Sequence, residues 1–241
     1  MLKMKMFKCK NFYLDLWAKS YIIRQVIITD VRFRTSACYS HRRFTRDVGF
    51  FMEVIGMGDK VAIFIDGAYV DNVLKDHFYS KRIDYDKLPK ELAKTHGVQI
   101  LRTYYYDCPP HQSNPPSEDE KRRKRSKDRF FAQLNRLNHF EVRKGRVACK
   151  KVDGRSVYQQ KRTDVMLAID MVQLSATHQI STAILIAGDN DFTPVVNNVK
   201  NNAVSVVLYH GPHRTYNNEL WNACDDRYEI DKELVDKTRL F

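Results

Sequence analysis

The sequence predicts an α/β domain with three layers (α/β/α), in which a central, mainly parallel sheet lies between two layers of helices. Short apolar runs recur at residues 61–65, 182–187 and 204–209, and continuous apolar strands are typical of sheets that are buried on both faces. Segments with helical periodicity separate these runs. Strands that alternate with helices in this way indicate a parallel sheet.

The first half of the domain contains clear start and stop signals. Gly97 has the position of a helix C-cap, and Ser117-Glu118-Asp119-Glu120 has the pattern of a capping box. After the strand at 61–65 we predict helices over 68–78 and 84–96, a strand over 98–106, a proline-rich loop over 107–117 and a helix over 117–138.

The second half continues the alternation. Gly145 lies between two short β-prone segments, which predicts a hairpin of 140–144 with 146–150, to which 157–160 would add. Beyond it we predict helices over 163–178, 192–201 and 216–224 around the two remaining apolar strands, and a closing strand at 228–230.

Residues 1–56 differ in character from the rest of the chain. They mix basic, aromatic and β-branched residues without sustained periodicity, whereas a clean strand follows soon after Met57. They are either a basic accessory arm or the product of a reading frame that starts too early, and we favour the second interpretation. We therefore expect the functional domain at 57–241, preceded by an extension at 1–56 that is non-native or disordered.

The composition limits which classes of protein this chain can belong to. The formal net charge is +12, but residues 1–57 hold 11 Lys and Arg against 4 Asp and Glu, so most of the excess lies outside the predicted domain. Overall charge is therefore weak evidence for nucleic-acid binding. The five scattered cysteines form no zinc pattern and are typical of a reduced, cytoplasmic protein. No apolar run approaches the roughly 18–20 residues of a membrane span.

Four aspartates occur where a parallel sheet places its ligands. Asp66 directly follows the first strand, Asp189 and Asp191 follow the strand at 182–187, and Asp164 opens a helix. Because ligands of open α/β sheets bind beyond the carboxyl ends of the strands, we expect these carboxylates to share one cleft. Each aspartate alone would suit an ordinary turn or cap. Their joint occurrence is what predicts a cluster.

Four carboxylates in one cleft repel one another unless cations neutralise them. Hard oxygen ligands favour Mg²⁺ or Mn²⁺ over zinc. Such ions can activate a water molecule and stabilise charge on a phosphate group. The pattern therefore predicts a metal-dependent, nuclease-like active site.

Three segments, VAIFIDGAYV, QKRTDVMLAIDMV and ILIAGDNDFTPVV, resemble the NYN-domain branch of the PIN-like nuclease superfamily, and the LabA-like group in particular. The likeness extends from about residue 60 to 230. It implies a three-layer α/β/α fold and a carboxylate cluster that binds one or two divalent metals. The characterised members of this family are often ribonucleases, so the resemblance implies RNA, single-stranded or structured, as the substrate.

The resemblance assigns roles residue by residue. Asp66, Asp164, Asp189 and Asp191 match the metal-binding acids, while Thr193 and Lys161 match positions that would contact substrate. Asp170 also matches a recurrent acid, but it lies about 240° around the helix from Asp164, which predicts a structural role. Many relatives have Asn where this chain has Tyr69, and this departure puts substrate detail in doubt.

The helix at 117–138 begins with the basic run KRRKRSK. It is either a guide for a nucleic-acid backbone or a solvated helix face. As a guide, it would contact substrate through Arg122, Arg123, Lys124 and Arg125. The consecutive tyrosines 104–106 could stack on bases, although core packing is the better interpretation for at least one face of the strand.

A metal-dependent endoribonuclease is therefore the leading hypothesis. The alternative is a catalytically weak RNA-binding or regulatory module with protein partners. A haloacid-dehalogenase-like enzyme would need Asp-x-Asp after the first strand, where this chain has Asp66-Gly67-Ala68. The sequence leaves open DNA as the substrate, the number of metals and the choice between a monomer and a homo-oligomer.

Overall fold

The computed structural model describes the backbone of residues 59–152 and 155–240, and the side chains of 59–147 and 162–240. The predictions for residues 1–56 lie outside this range. The helices and strands in chain order are β1 Lys60–Asp66, α1 Gly67–His77, α2 Lys87–His96, β2 Gln99–Asp107, α3 Glu118–Leu134, β3 Phe140–Lys144, β4 Arg146–Val152, β5 Arg155–Lys161, α4 Thr163–Ala176, β6 Thr182–Ile186, α5 Thr193–Asn201, β7 Ser205–His210, α6 Asn218–Ala223, β8 Asp226–Glu229 and α7 Lys232–Lys237.

The main sheet has six strands in the order β3-β2-β1-β6-β7-β8. All five neighbouring pairs are parallel. Right-handed connections between parallel strands place helices on both faces of such a sheet. The three-layer α/β/α fold predicted from the sequence is confirmed.

Alternating residues of the central strands divide the core into two clusters. Val61, Ile63 and Ile65 of β1 pack with α1, α2 and α3 on one face. Ala62 and Phe64 pack with α4, α5 and α6 on the other face. Because both sets are fully buried, β1 is the continuous apolar strand that its sequence predicts.

The predicted hairpin around Gly145 is wrong. Phe140–Lys144 pairs in parallel with β2 at the edge of the main sheet, whereas Arg146–Val152 pairs with Arg155–Lys161 in a separate two-stranded antiparallel sheet. The chain therefore leaves the main sheet at Gly145 instead of turning back on itself. Alternation and a glycine identify strands, but they do not identify the partner of each strand.

Several predicted elements are confirmed with shifted ends. Ser117 caps α3 through the predicted capping box: its Oγ atom accepts the N–H of Glu120, and the Glu120 carboxylate accepts the N–H of Ser117. Gly97 ends α2 in the left-handed conformation. Helix α2 begins at Lys87 instead of residue 84, and α7 was not predicted. Tyr104, Tyr105 and Tyr106 are all buried, so these tyrosines pack in the core and do not stack on bases.

Candidate active site

The candidate site lies at the point where the strand order of the sheet reverses. From β1 the chain proceeds to β2 on one side, whereas β6, on the other side of β1, leads on to β7. In open α/β sheets this reversal creates a crevice beyond the carboxyl ends of the two central strands. Asp66 is the last residue of β1, and Asp189 and Asp191 lie in the turn that follows β6.

Asp66 is held by the start of helix α1. Its Oδ1 atom accepts hydrogen bonds from the backbone N–H groups of Ala68 and Tyr69, at 3.0 and 3.2 Å. Burial raises the pKa of Asp66 to about 6; the negative charges of Asp164 and Asp107 add to this rise, against the two backbone hydrogen bonds. An aspartate that holds its proton this far above the usual range is costly to ionise without a cation.

Asp164 lies in the first turn of α4 and is exposed. Arg162 occupies the N-cap position of α4, and its side chain makes no capping hydrogen bond. Partial burial raises the pKa of Asp164, and the charges of Asp189 and Asp191 raise it further. The negative charge of Asp164 therefore acts on Asp66, and those of Asp189 and Asp191 act on Asp164.

Asp189, Asp191 and Thr193 lie on the turn that joins β6 to α5. Asp189 accepts a hydrogen bond from the N–H of Asp191 at 3.1 Å, and both carboxylates are otherwise exposed. Thr193 is only 8% exposed, yet its Oγ1 atom has no hydrogen-bond partner among the described residues. A buried hydroxyl without a partner is unusual, so this end of α5 retains an unused polar group beside the acids.

The donor set fits a hard divalent cation in chemistry and charge. It consists of carboxylates with one neighbouring hydroxyl, and in the described part of the chain no ion pair joins Asp66 or Asp164 to a basic side chain. However, no three of the described His, Cys, Asp and Glu side chains are arranged so that they could hold a metal ion. Metal binding would therefore require these side chains to converge.

Tyr69, which replaces the Asn of many relatives, holds two loops of the site together. Its hydroxyl accepts the N–H of Gly211 at 2.8 Å and lies 3.2 Å from the Oγ1 atom of Thr215. Its ring lies directly over Gly188, where an added Cβ atom would come within 2.4 Å of it. Tyr69 therefore fixes the backbone that leads to Asp189, and this use was not foreseen from the sequence.

An ion pair at the end of β2 was also missed. Asp107 is 4% exposed, and the Nζ atom of Lys127, on α3, lies 2.5 Å from its Oδ2 atom. Lys127 also lies 3.4 Å from Asp71 of α1. Asp107 follows a buried strand as Asp66 does, and Lys127 precedes the buried Phe131 by one helical turn, so strand ends and helical period together could have indicated this pair.

A cavity of about 450 Å³ opens beside this ion pair. Ala68, whose N–H contacts Asp66, lies in its wall together with Asp107, Asn72 and Arg123. The cavity therefore adjoins the aspartate cluster on the β2 side, and it is large enough for a small polar group such as part of a nucleotide.

The basic residues that were predicted to contact substrate have different surroundings in the structure. Arg123 is exposed and lines the cavity. Arg122 pairs with Asp119 at 2.7 Å, Lys124 pairs with Asp128 at 2.9 Å, and Arg125 is exposed to solvent. The side chain of Lys161 lies outside the described residues, although its backbone ends β5.

Asp170 has the structural role predicted for it. Its Oδ2 atom accepts hydrogen bonds from the hydroxyl of Tyr106 at 2.8 Å and from Nε of Arg143 at 3.0 Å. His210 is similarly engaged, since its ring contacts the carbonyl of Gly211 at 2.8 Å and the indole N–H of Trp221 at 3.3 Å. Neither side chain joins the cluster.

A family model described as the NYN domain matches residues 60–231. No curated protein matches the chain. The described residues contain no helix that is long and apolar enough to cross a membrane.

Solved structures resemble the fold. A crystal structure of a protein of unknown function from Vibrio parahaemolyticus is 23% identical, with a TM-score of 0.54; the match covers 76% of this chain and 97% of that one. At this identity the likeness shows the fold alone. MurG from Acinetobacter baumannii is 9% identical with a TM-score of 0.34, over 72% of this chain and 42% of that one, and this weaker likeness carries no argument.

Proposed function

This chain belongs to the NYN domain family, and on that premise we propose that it is a metal-dependent ribonuclease that hydrolyses RNA phosphodiester bonds. NYN domains are part of the PIN-like nuclease superfamily. The proposed cofactor is Mg²⁺ or Mn²⁺, the proposed ligands are Asp66, Asp164, Asp189 and Asp191, and the motifs around them support membership of the LabA-like group.

The observation that carries the proposal is the uncompensated charge at the strand-order reversal. Burial and the negative charge of Asp164 raise the pKa of Asp66, and no ion pair joins Asp66 to a basic side chain of the described residues. A purely structural carboxylate would be paired, as buried charges normally are. The unpartnered hydroxyl of Thr193 beside Asp191 supports a ligand at the same place.

The protein's own groups have separate parts in this proposal. A bound divalent ion would supply an activated water molecule and charge stabilisation on the phosphate. The hydroxyl of Thr193 and the ammonium of Lys161 would contact the substrate phosphates, and Arg123 would hold the strand at the neighbouring cavity. Arg122, Lys124 and Arg125 would add longer-range attraction for the polyanion. Asp66 would have to lose its proton before it could act.

The alternative function is a catalytically weak RNA-binding or regulatory module. Two observations favour it: the described acids are not arranged as a formed metal site, and Tyr69 is engaged with Gly211 and Thr215, where many relatives have an Asn that can face a ligand. In this case the domain would bind RNA or a protein partner without cleaving RNA.

The deciding experiment incubates the full-length protein with labelled RNA and labelled DNA in Mn²⁺, Mg²⁺ or EDTA. Asp66→Asn and Asp189→Asn are compared with Asp119→Asn, an exposed acid on α3. We expect metal-dependent cleavage that both site variants lower by about 10²–10³-fold and that the control retains. Equal cleavage by all variants would remove the assigned site, and metal-independent binding without cleavage would establish the alternative.

A finer proposal concerns the compartment of the protein. The five cysteines are scattered without a recognisable pattern, and Cys224 is a buried free thiol. Both observations support a reducing compartment and therefore a cytoplasmic location. We leave the choice between a monomer and a homo-oligomer to a direct measurement of molecular mass in solution.

A further inference from the structure

A second cavity, which we call the α1–α3 groove, continues from the cavity beside the Asp107–Lys127 ion pair. It has a volume of about 720 Å³ and lies between helix α1, helix α3 and the loop that follows α1. The two cavities share Asp71, Arg123 and Lys127 in their walls. A continuous depression therefore leads from the edge of the aspartate cluster along the surface of α3.

The wall of this groove is strongly basic. Asp71 is its only acid, whereas six basic side chains line it. Lys127 is neutralised by Asp107 and Lys81 by Asp236. The other four form no ion pair with any described residue: Lys75, Arg82, Arg123 and Arg129. An excess of unpaired cations along a concave path focuses an attractive field on an anionic chain.

The groove also offers apolar surface. Leu74, Ile83 and Phe130 line it between the basic residues. Tyr79 directly precedes Ser80 in the chain. It is 96% exposed and has a φ of 54°, a left-handed backbone conformation that is uncommon outside glycine. Its neighbour Ser80 is part of the wall. A tyrosine presented in this way is a flat, open surface on which a base could stack.

We propose that the α1–α3 groove is the binding path of a single-stranded polynucleotide that extends outward from the aspartate cluster, with Tyr79 as a stacking platform. The proposal rests on the proposed function for the choice of nucleic acid. Alternating cationic and apolar surface suits a chain with phosphates and exposed bases. A duplex presents only its phosphates and stacked base edges to such a groove, so the apolar part of the wall would remain uncovered.

The test measures binding in EDTA, where no metal-dependent cleavage occurs. Fluorescence anisotropy compares labelled oligo-U and oligo-dT of about 15 nucleotides with a duplex of the same length. The main variant is Arg82→Glu/Arg129→Glu, with Arg82→Ala/Arg129→Ala as the milder form, and thermal unfolding checks that each remains folded. The control, Lys94→Glu/Arg136→Glu, makes the same change in net charge at exposed positions that do not line the groove.

We expect the groove variant to bind single strands about 10-fold more weakly than the control. The alanine form should lower the dependence of log K on log salt by about 1.4, because two phosphate contacts are lost. Tyr79→Ala should weaken oligonucleotide binding at least 5-fold, Tyr79→Phe should not, and neither should alter binding of heparin, a polyanion without bases. The oligo-U and oligo-dT arms decide whether the strand is RNA or DNA.

Equal weakening by the groove and control variants, or tighter binding of the duplex than of either single strand, would overturn the proposal.

These binding outcomes are independent of catalysis. A protein that binds oligonucleotides through the groove but does not cleave them with Mn²⁺ would contradict the proposed nuclease and leave the groove assignment intact. Normal cleavage by the wild type, together with unchanged oligonucleotide binding by the groove variant, would contradict the groove assignment and leave the nuclease proposal intact.

Discussion

Two groups of carboxylates lie at the same edge of the sheet and differ in how their charge is balanced. Asp107, at the end of β2, receives the ammonium of Lys127 at 2.5 Å and hydrogen bonds from Cys108 and Tyr105. Asp66, at the end of the adjacent strand β1, receives only backbone N–H groups from the described residues. Burial and neighbouring acids raise the pKa of Asp66.

This difference separates a structural acid from a candidate ligand. A buried charge must be paired or must coordinate a metal. The protein supplies the cation for Asp107 from α3. The described residues supply none for Asp66, Asp164, Asp189 and Asp191. The number of acids at an edge is therefore less informative than the origin of their counter-charge, and each prediction below tests that distinction.

The largest expected effect is on the internally balanced pair. Lys127→Met would leave Asp107 buried and unpaired, and breaking a buried pair from one side costs about 3–5 kcal/mol. Burial alone would lower the pKa of Lys127. The negative charges of Asp107 and Asp71, together with the hydrogen bonds to them, outweigh burial and raise this pKa. Urea unfolding at pH 7 measures the loss.

Lys124→Met is the matched control on the same helix. Lys124 pairs with Asp128 at 2.9 Å, but both side chains are about 40% exposed, at 39% and 43%, and such pairs contribute less than about 1 kcal/mol. If Lys127→Met cost no more than Lys124→Met, the Asp107–Lys127 pair would not be the internal counter-charge that the comparison requires.

Asp66, Asp164, Asp189 and Asp191 have no cation from the described residues, so binding of an added metal should stabilise the protein through them. A ligand at 100 times its Kd stabilises a protein by about 2.7 kcal/mol. We therefore expect Mn²⁺ to raise the thermal unfolding midpoint of the wild type but not that of Asp66→Asn or Asp189→Asn. Asp107→Asn should keep the Mn²⁺ effect, and its loss there would show that both groups of acids belong to one site.

In the absence of metal, Asp66→Asn should stabilise the protein. The pKa of Asp66 is about 6 in the folded state against an ordinary 3.8, so the folded state binds the proton more tightly and stability falls as pH rises from about 4 to 6. Asparagine removes this cost and still caps a helix. We expect a gain of about 1–2 kcal/mol at pH 7.5 that disappears near pH 4.

Urea unfolding in EDTA at the two pH values measures this gain, with Asp107→Asn as the comparison. Asp107→Asn should destabilise at pH 7.5, because it removes the partner of Lys127. A gain in unfolding free energy for Asp66→Asn and a loss for Asp107→Asn would support the distinction between an acid without a cation and an acid paired within the protein. Changes of the same sign would contradict it.

The sequence predicted the fold and the location of the aspartates because both follow from local pattern. An apolar run buried on both faces predicts a parallel strand, and an acid at its end predicts a place at the carboxyl edge. Asp66 after β1 and Asp189 after β6 required nothing more. The partner of each strand is a different matter, because pairing depends on contacts between distant segments, and the hairpin predicted around Gly145 was wrong for that reason.

The sequence could not predict in the same way which basic side chain pairs with each aspartate. Lys127 belongs to a run of basic residues that looks uniform in sequence, and only the orientation of α3 brings it to Asp107 while Arg125 remains exposed. Tyr69 is a similar case. Its departure from the Asn of many relatives was visible in the sequence, but its contacts with Gly211 and Thr215 depend on where the loop after β7 lies.

The smallest effect concerns that tyrosine and separates support of the site from membership in it. Tyr69→Phe removes the hydroxyl that accepts the N–H of Gly211, and a lost hydrogen bond of this kind costs about 1 kcal/mol. The ring, which packs over Gly188, remains. We therefore expect slightly lower stability with an unchanged stabilisation by Mn²⁺, because the backbone that leads to Asp189 is still covered. A variant with wild-type stability but no response to Mn²⁺ would instead place the hydroxyl among the ligands of the site.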